Sequence, residues 1–228
     1  DPPPPIVNGE RTWDFEQAGA LMAYDDNYGG SVFCTGTLVH EKWVVTAAHC
    51  LGAADEYAAW NMDVLFVIGD NVYSQNGIDE YDTAVFWEIH PDYDERQLQH
   101  DIGVMELETG FEDIKPIALG TETPSTLWAE AELQYVGWGV TGDSREDSGI
   151  KRTVSIPYYD YDEQFVYAVD PAGERNLCSG DSGGPALRLL EDGTYALVGV
   201  NSFVFGVFSN DTACEGGGSG ATRIDSNL

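Results

Sequence analysis

The chain has 228 residues, 40 of them acidic and 10 basic, which gives a formal net charge of −30 at pH 7. Such a surface repels nucleic acids and anionic membranes, so we expect neither as a partner, and the acidity favours solubility in a salty medium over the binding of cationic partners. The length fits one domain or two packed lobes of about 110 residues each, and no run approaches the roughly 20 apolar residues of a membrane span.

The first five residues, Asp1 to Pro5, stand in front of Ile6-Val7-Asn8-Gly9. Their four consecutive prolines predict a stiff, extended polyproline II segment. No positively charged and then apolar leader is present, so we expect any signal peptide to have been removed.

Short β-branched and apolar runs bounded by Gly, Asp and Asn predict buried strands, as at 43–45, 64–68 and 196–200. Long amphipathic stretches are scarce, and one helix candidate lies at 164–169. Turn signals recur about every ten to fifteen residues, which is typical of barrels or a sandwich. The acidic segments 70–82 and 142–151 are predicted to be surface loops, and the composition of 215–220 is that of a linker.

The four cysteines, Cys34, Cys50, Cys178 and Cys214, allow three pairings. Neither a CxxC pair nor an HExxH helix occurs in the sequence. Two disulfides formed in an oxidising compartment are therefore favoured over a zinc site, and we expect a secreted protein, extracellular or periplasmic.

The segment CSGDSGGP at 178–185 carries the chemistry. Gly180, Gly183 and Gly184 allow a tight turn that presents the Ser182 hydroxyl and aims the amides of Gly180 and Ser182 at one point. Two converging N–H groups beside a hydroxyl are what the stabilisation of an acyl-transfer oxyanion requires. A second Gly-Asp-Ser triplet, at 142–144, lies in a charged loop and is predicted to be exposed.

A serine nucleophile needs a base, and the base needs a carboxylate that orients it. His40, His90 and His100 are predicted to be turn or loop residues. His49 differs because it follows a strand and small residues and precedes Cys50. The order of His49, Asp101 and Ser182 along the chain is that of chymotrypsin's triad.

These motifs resemble those of the chymotrypsin and trypsin family of secreted serine endopeptidases. The matching segments are IVNGE at 6–10, CTGTLVHEKWVVTAAHC at 34–50, DIGVMEL at 101–107, VGWG at 136–139, CSGDSGGP at 178–185 and SFV at 202–204. The resemblance implies an all-β fold of two packed six-stranded antiparallel β-barrels, with the active site in the cleft between them. We expect residues 1–5 to be a propeptide remnant, 6–108 the N-terminal barrel half and 109–228 the C-terminal barrel half.

The resemblance also implies a role for each matching residue. His49 would be the general base, Asp101 its orienting carboxylate and Ser182 the nucleophile, with Gly180 and Ser182 supplying the oxyanion-hole amides. Ser202 would hydrogen-bond the triad aspartate. The implied disulfides are Cys34–Cys50 and Cys178–Cys214.

Two departures from the family pattern are visible. Other family disulfides are absent, so we expect the segment 158–175 to be less constrained than usual. The family's terminal helix should begin near 223–228, where this chain stops, so we expect either that the source is truncated or that another element covers the surface on which that helix packs.

The family resemblance places Asn176 at the base of the primary specificity pocket. A neutral residue there disfavours a buried Lys or Arg, and Leu177 adds apolar bulk. Ser202, Phe203 and Val204 would form one wall and Ser219 another, which narrows the pocket as in elastase-like relatives. Leu98 matches a position that covers the neighbouring subsite. We expect a small or medium apolar P1 residue (the residue before the cleaved bond), such as Ala, Val or Leu.

Two alternatives accompany this interpretation. Asp70 and Glu80 lie in the segment that matches the family's calcium loop and could supply oxygen ligands, although a solvated acidic loop without a metal or other cofactor is favoured.

A catalytically silent, protease-fold binding protein is the rival to an endopeptidase acting on proteins or peptides. It is disfavoured because all three triad positions are present.

The last candidate site is the activation site, formed by the Ile6 nitrogen and Asp181. In the family this α-amine, freed by cleavage, pairs with the aspartate before the nucleophile, here Asp181. While residues 1–5 remain attached, the Ile6 nitrogen is an uncharged amide, so the sequence predicts a zymogen-like form with Asp181 turned away from its active position and the oxyanion hole or pocket walls malformed. Because Pro5 precedes the bond to be cut, activation by a separate, proline-tolerant protease or by stepwise trimming from Asp1 is expected.

Overall fold

The computed structural model describes residues 6–125, 128–208 and 214–228. Its elements in chain order are β1 (Glu10–Arg11), β2 (Ala18–Asp25), β3 (Gly29–His40), β4 (Trp43–Thr46), α1 (Ala48–Ala59), β5 (Asp63–Gly69), β6 (Ile78–Ile89), β7 (Gly103–Leu107), β8 (Ala118–Leu119), β9 (Glu132–Gly137), β10 (Arg152–Tyr161), β11 (Phe165–Val169), β12 (Pro185–Leu189), β13 (Tyr195–Gly206) and β14 (Gly217–Arg223).

The first barrel closes in the strand order β2-β3-β4-β7-β6-β5, with every neighbouring pair antiparallel. Alternate side chains of these strands point inward, as the period of a strand requires, and fill one apolar core. Leu21, Leu38, Phe66, Met105 and Leu107 are among its fully buried members. The predicted strands at 43–45 and 64–68 are β4 and β5.

The second barrel closes in the order β9-β10-β11-β14-β13-β12, because β12 pairs with β9. Two short strands are added to it: β1 pairs with β10, and β8 lies parallel to β13. Ile6 is completely buried in this barrel's core with Leu133 and Ile156. The residues around Ile6 and β1 therefore pack with the second barrel, although the sequence analysis assigned the whole of 6–108 to the N-terminal barrel half. The prediction of two six-stranded antiparallel barrels is confirmed.

Three local predictions are corrected. The helix candidate at 164–169 is strand β11, which pairs with β10 on one side and β14 on the other. The linker-like segment 215–220 belongs mainly to β14, whose residues are all buried. Its glycines lie under aromatic rings, since a Cβ at Gly220 would come within 2.4 Å of the Phe203 ring. The acidic segment 70–82 is a loop only as far as Gly77, because β6 begins at Ile78.

Helix α1 was not predicted from the sequence. It starts directly after β4 and buries Ala48, Cys50, Leu51 and Ala54 against the first barrel. Its small residues give no clear amphipathic period, which explains why the sequence did not mark it. In the described parts of the chain no helix has the length and apolarity needed to cross a bilayer.

Candidate active site

The pairing of His49 with Asp101 is the centre of the site. His49 lies in the first turn of α1, and Asp101 lies just before β7. The backbone N–H of His49 donates to Oδ1 of Asp101 at 2.9 Å, and Nδ1 of the ring lies 2.7 Å from Oδ2. Asp101 is fully buried, whereas the imidazole is about one-third exposed. The contact fixes the ring through Nδ1, which leaves Nε2, 3.6 Å from the Sγ of Cys50, on the other edge of the ring.

The segment before Asp101 has an unusual backbone and is fixed by neighbouring side chains. Leu98 and His100 have φ values of 54° and 52°, in the left-handed region that side chains other than glycine rarely adopt. His100 is held from several sides: its ring stacks on His90 with centroids 4.6 Å apart, and its Nδ1 lies 2.7 Å from the Asn227 side-chain oxygen. His100 therefore has a structural place beside the site.

Ser182 lies on the glycine-rich turn that the sequence predicted. Its carbonyl accepts from the Thr35 backbone N–H at 2.8 Å, and the Gly180 carbonyl accepts from the Thr35 hydroxyl at 2.9 Å. Thr35 belongs to the first barrel, so these two bonds attach the turn across the cleft. Gly183 has a φ of 78°, and a Cβ there would lie 2.0 Å from the Thr46 hydroxyl. Only glycine fits at that position.

Asp181 lies beneath the same turn. Its carboxylate oxygens accept from the backbone N–H of Gly139 at 2.9 Å and of Cys178 at 3.0 Å, and the side chain is buried. Burial raises the pKa of Asp181 to about 7, against the lowering effects of the two amides and Arg152. A Cβ at Gly137 would lie 2.1 Å from Oδ1. The first glycine of the VGWG motif therefore leaves room for this carboxylate.

The residues after the proline run are seated next to the turn. The Ile6 side chain is fully buried, the Val7 carbonyl accepts from the Asn176 N–H at 3.4 Å, and the Asn8 side-chain amide donates to the Glu174 carbonyl at 2.6 Å. The sequence predicted that Asp181 would be turned away from its active position while residues 1–5 remain attached. In the structure Asp181 is held by two amides and Ile6 is already in the core, while residues 1–5 lie outside the described part.

A cavity of 170 Å³ adjoins Ser182. Four of the predicted pocket residues line it, namely Leu177, Ser202, Phe203 and Val204. Asn176 and Ser219 do not line it but are buried, at 1% exposure each. Ser219 lies opposite Val204 in the pairing of β13 and β14. Leu98 is half-buried in the loop before Asp101 and does not line this cavity.

Tyr135 is a buried neighbour of the pocket region that the sequence analysis missed. It is completely buried in β9, opposite Val154 and Ala186, and packs in one core cluster with Leu177. Burial raises the pKa of its phenol, and the Ser219 hydroxyl acts in the opposite direction. A tyrosine one residue before VGWG carried no sequence signal, because β9 and β14 are not neighbouring strands and Tyr135 comes close to Ser219 only once the barrel is closed.

The structure separates the remaining candidates from the site. Asp143 and Ser144 of the second Gly-Asp-Ser triplet are exposed. His40 ends β3 and is exposed. Glu80 is an exposed residue of β6, and the Asp70 carbonyl accepts from the Lys151 N–H at 2.8 Å. Among the described residues, the one group of acidic, His and Cys ligand atoms close enough together for a metal comprises Cys34, His49 and Cys50, and does not include Asp70 or Glu80.

Both predicted disulfides, Cys34–Cys50 and Cys178–Cys214, are formed, which uses all four cysteines. The first ties β3 to α1 directly beside His49. The second ties the start of the Ser182 turn to the segment leading into β14.

The class of the protein follows from how the barrels share the site. The first barrel carries His49 and Asp101, and the second carries Ser182 and Ser202. The Ser202 hydroxyl donates a hydrogen bond to the Asp101 carboxylate at 2.5 Å. A buried aspartate that contacts a histidine of its own barrel and a serine of the other, with a glycine-rich serine turn attached across the same junction, is the arrangement of a chymotrypsin-like serine endopeptidase.

Comparisons with known proteins agree with this class. The family model described as Trypsin matches residues 6–224. Chymotrypsin-like elastase family member 1 of Bos taurus is 31% identical over 188 residues, covering 75% of this chain and 68% of that protein. Trypsin 5G1 of Aedes aegypti is 31% identical over 194 residues, covering 78% of this chain and 68% of that protein. The chain therefore belongs to the trypsin family of serine proteases, which act on peptide or protein substrates and need no cofactor.

Proposed function

We propose that this protease cleaves peptide bonds through an acyl-enzyme formed on Ser182, with His49 as general base and Asp101 as its orienting carboxylate. The observation that carries the proposal is the double contact between His49 and Asp101, at 2.9 and 2.7 Å. It holds the ring with Nδ1 toward the carboxylate, so Nε2 remains to exchange a proton with the substrate side.

The reaction proceeds in two halves. The Ser182 Oγ attacks the scissile carbonyl carbon while its proton passes to Nε2 of His49, and the Asp101 carboxylate stabilises the imidazolium. The backbone N–H groups of Gly180 and Ser182 receive the oxyanion. The same proton then goes to the leaving amine, and the carbon–nitrogen bond breaks. A water molecule repeats the sequence on the ester and releases the acid.

The proposed P1 residue is small or medium and apolar. Support comes from Leu177 and Val204 in the lining of a cavity of only 170 Å³ next to Ser182, and from the buried, neutral Asn176 that directly precedes Leu177 in the chain. Asp181 also lines this cavity, but its carboxylate accepts from the Gly139 and Cys178 amides and is proposed below to pair with the Ile6 ammonium, so a buried Lys or Arg side chain would find no free counter-charge. Profiling against a peptide library tests this, and a strong preference for Arg or Lys at P1 would contradict it.

The chain with residues 1–5 attached is proposed to be a zymogen-like form. A buried Asp181 whose pKa is raised to about 7 needs a cation to remain a carboxylate at low cost. The α-ammonium of a chain beginning at Ile6 would supply that cation, and an Ile6 amide cannot. Because Pro5 precedes the bond to be cut, the activating partner is proposed to be a separate protease that accepts proline.

Labelling with a fluorophosphonate probe tests the active-site assignment. A chain beginning at Ile6 is expected to be labelled, and its Ser182→Ala variant is expected not to be. Because the exposed Ser144 belongs to the second Gly-Asp-Ser triplet, Ser144→Ala is a matched control that should leave labelling unchanged. Silence of the chain beginning at Ile6, folded and with its N-terminus confirmed by mass spectrometry, would favour a protease-fold binding protein instead.

The net charge and the disulfides support proposals about the protein's partners and its cellular location. A net charge of −30 supports neither nucleic acid nor an anionic membrane as a partner. Two disulfides support an oxidising, extracellular or periplasmic location.

A further inference from the structure

Asp170 organises the loop that leads from β11 to Cys178. The side chain is buried, and its carboxylate accepts the backbone N–H groups of Glu174 at 3.1 Å and of Arg175 at 3.0 Å, with Ala172 at 3.4 Å. The same carboxylate pairs with the Arg175 guanidinium, with Nε and Nη2 3.4 and 3.3 Å from its two oxygens. One carboxylate thus closes the whole loop 170–175.

Arg175 fastens this loop to the barrel. Its Nη1 donates to the Ser155 carbonyl in β10 at 2.5 Å and lies 3.4 Å from the Glu132 carboxylate in β9. The sequence predicted that 158–175 would be less constrained, because disulfides usual in the family are absent. A charged network between Asp170, Arg175 and these two strands provides the missing constraint. At its Asp170 end the network is buried, where hydrogen bonds to a charged group contribute more than those between neutral groups.

The end of this loop contacts the N-terminal segment and leads directly into the cavity beside Ser182. The Glu174 carbonyl accepts from Asn8, and the Asn176 N–H donates to Val7, so the loop is the seat of the N-terminal segment. Leu177 follows at once and lines the cavity beside Ser182. A shift of the loop is therefore expected to displace both the residues that bind the N-terminal segment, Glu174 and Asn176, and the cavity residue Leu177.

We infer that Asp170 is a positioning residue that couples the seating of residues 6–8 to the shape of the P1 pocket. The inference rests on the proposed function, because it assigns Asp170 an effect on that pocket. Asp170 touches no reacting atom. It acts through Arg175 and Glu174 on Asn176 and Leu177.

The test replaces Asp170 by Asn in a chain beginning at Ile6. The matched control is Asp225→Asn, because Asp225 also pairs with an arginine of this barrel, Arg223, and both of these side chains are less than one-tenth exposed. Turnover is measured for two substrates that differ only in P1, Leu or Ala, together with the melting temperature. A leucine side chain reaches further into the pocket than the methyl group of alanine.

The expected result is selective. Asp170→Asn should lower kcat/KM about tenfold or more for the Leu substrate, mainly through KM, and distinctly less for the Ala substrate, since small misplacements of a binding surface cost large factors in rate. Asp225→Asn should affect both substrates equally. Equal losses for the two substrates in Asp170→Asn, in proportion to the loss of melting temperature, would overturn the inference. If Asp170→Asn does not fold, Arg175→Gln is measured under the same criteria.

Coupling to the N-terminal segment is measured with Asn8→Ala. Because Asn8 and Asp170 act on the same loop, the losses in kcat/KM of the double variant should be smaller than the product of the single losses. Asn8→Ala combined with Asp225→Asn should instead be multiplicative. Multiplicative losses in both double variants would show that Asp170 does not affect how the loop binds the N-terminal segment.

Hydrogen exchange separates failure of this inference from failure of the proposed function. The amide of Asn176 should exchange faster in Asp170→Asn than in the parent chain, and should be unchanged in Asp225→Asn, whether or not Ser182 reacts with a fluorophosphonate. An unchanged Asn176 amide in a folded Asp170→Asn chain overturns the inference. An unreactive Ser182 in the parent chain overturns only the proposed function.

Discussion

The hydroxyl of Ser202 donates a hydrogen bond of 2.5 Å to Oδ2 of Asp101, a residue 101 positions earlier in the chain. Ser202 is in β13 of the second barrel, and Asp101 precedes β7 of the first. The same Oδ2 contacts Nδ1 of His49 at 2.7 Å. One carboxylate oxygen therefore joins the two barrels at the candidate active site.

Replacing Ser202 by Ala should lower kcat/KM about tenfold or more, because a hydrogen bond to a buried charged group contributes roughly 1.5–3 kcal/mol. Turnover of an apolar chromogenic substrate by a chain beginning at Ile6 measures the effect. Thr194→Ala is the control, since the Thr194 hydroxyl also donates to a carboxylate, that of Asp192, but in an exposed turn between β12 and β13. Equal activity of the two variants would show that the Ser202 contact does not support Asp101.

Replacing Gly137 by Ala should destabilise the protein by about 1–3 kcal/mol and reduce its activity, because the added methyl group would overlap the Asp181 carboxylate. Denaturant unfolding and turnover check both effects. Gly52→Ala is the control: nothing lies within 4 Å of a Cβ at Gly52 in α1, so that change should stabilise the chain by about 0.5–1 kcal/mol. A Gly137→Ala protein as stable and active as the parent would contradict the packing of Asp181.

Removal of residues 1–5 should raise turnover by on the order of 100-fold or more, the effect of completing an oxyanion hole. The 1–228 chain and a chain beginning at Ile6 are compared on one small apolar substrate, with both N-termini checked by mass spectrometry. Equal turnover by the intact 1–228 chain would contradict the zymogen proposal and require another group to pair with Asp181.

The stability of the 1–228 chain should carry a pH dependence that comes from Asp181. Because its pKa is raised from 3.8 to about 7, the folded state binds more protons than the unfolded state between these values. The contribution of Asp181 is therefore lost progressively as the pH rises from about 4 to about 7, by a few kcal/mol in all.

Unfolding of the 1–228 chain and its Asp181→Asn variant across this pH range measures that loss as a difference, which removes the effects of the other carboxylates. In a chain beginning at Ile6 the difference should shrink, because an α-ammonium would stabilise the ionised form. Parallel pH profiles for the 1–228 chain and its variant would show that Asp181 does not titrate in this range.

Calcium should leave the melting temperature within about 1 °C of its value in chelator, because a ligand raises the melting temperature only if it binds the folded chain. Asp70 and Glu80 do not belong to a close group of ligand atoms in the described residues. A clear rise with calcium, abolished in Glu80→Gln, would establish the loop as a binding site.

The sequence alone predicted the parts whose physics is local. Apolar β-branched runs such as 64–68 form strands because their side chains suit a pleated, buried surface. The turn around Ser182 was predictable because its glycines are required by the backbone itself, as the φ of Gly183 shows. The pairing of cysteines and the triad order came from the family resemblance.

Only the tertiary structure decided the rest. The segment 164–169 is a strand because β10 and β14 offer it partners on both sides, and the glycine-rich segment beyond Cys214 is a strand because aromatic rings cover it. The contact of Ser202 with Asp101 and the network around Asp170 join residues whose spacing carries no pattern. Such groups become neighbours only when barrel closure brings them together, and burial then makes each of their hydrogen bonds necessary, because an unpaired buried charge is costly.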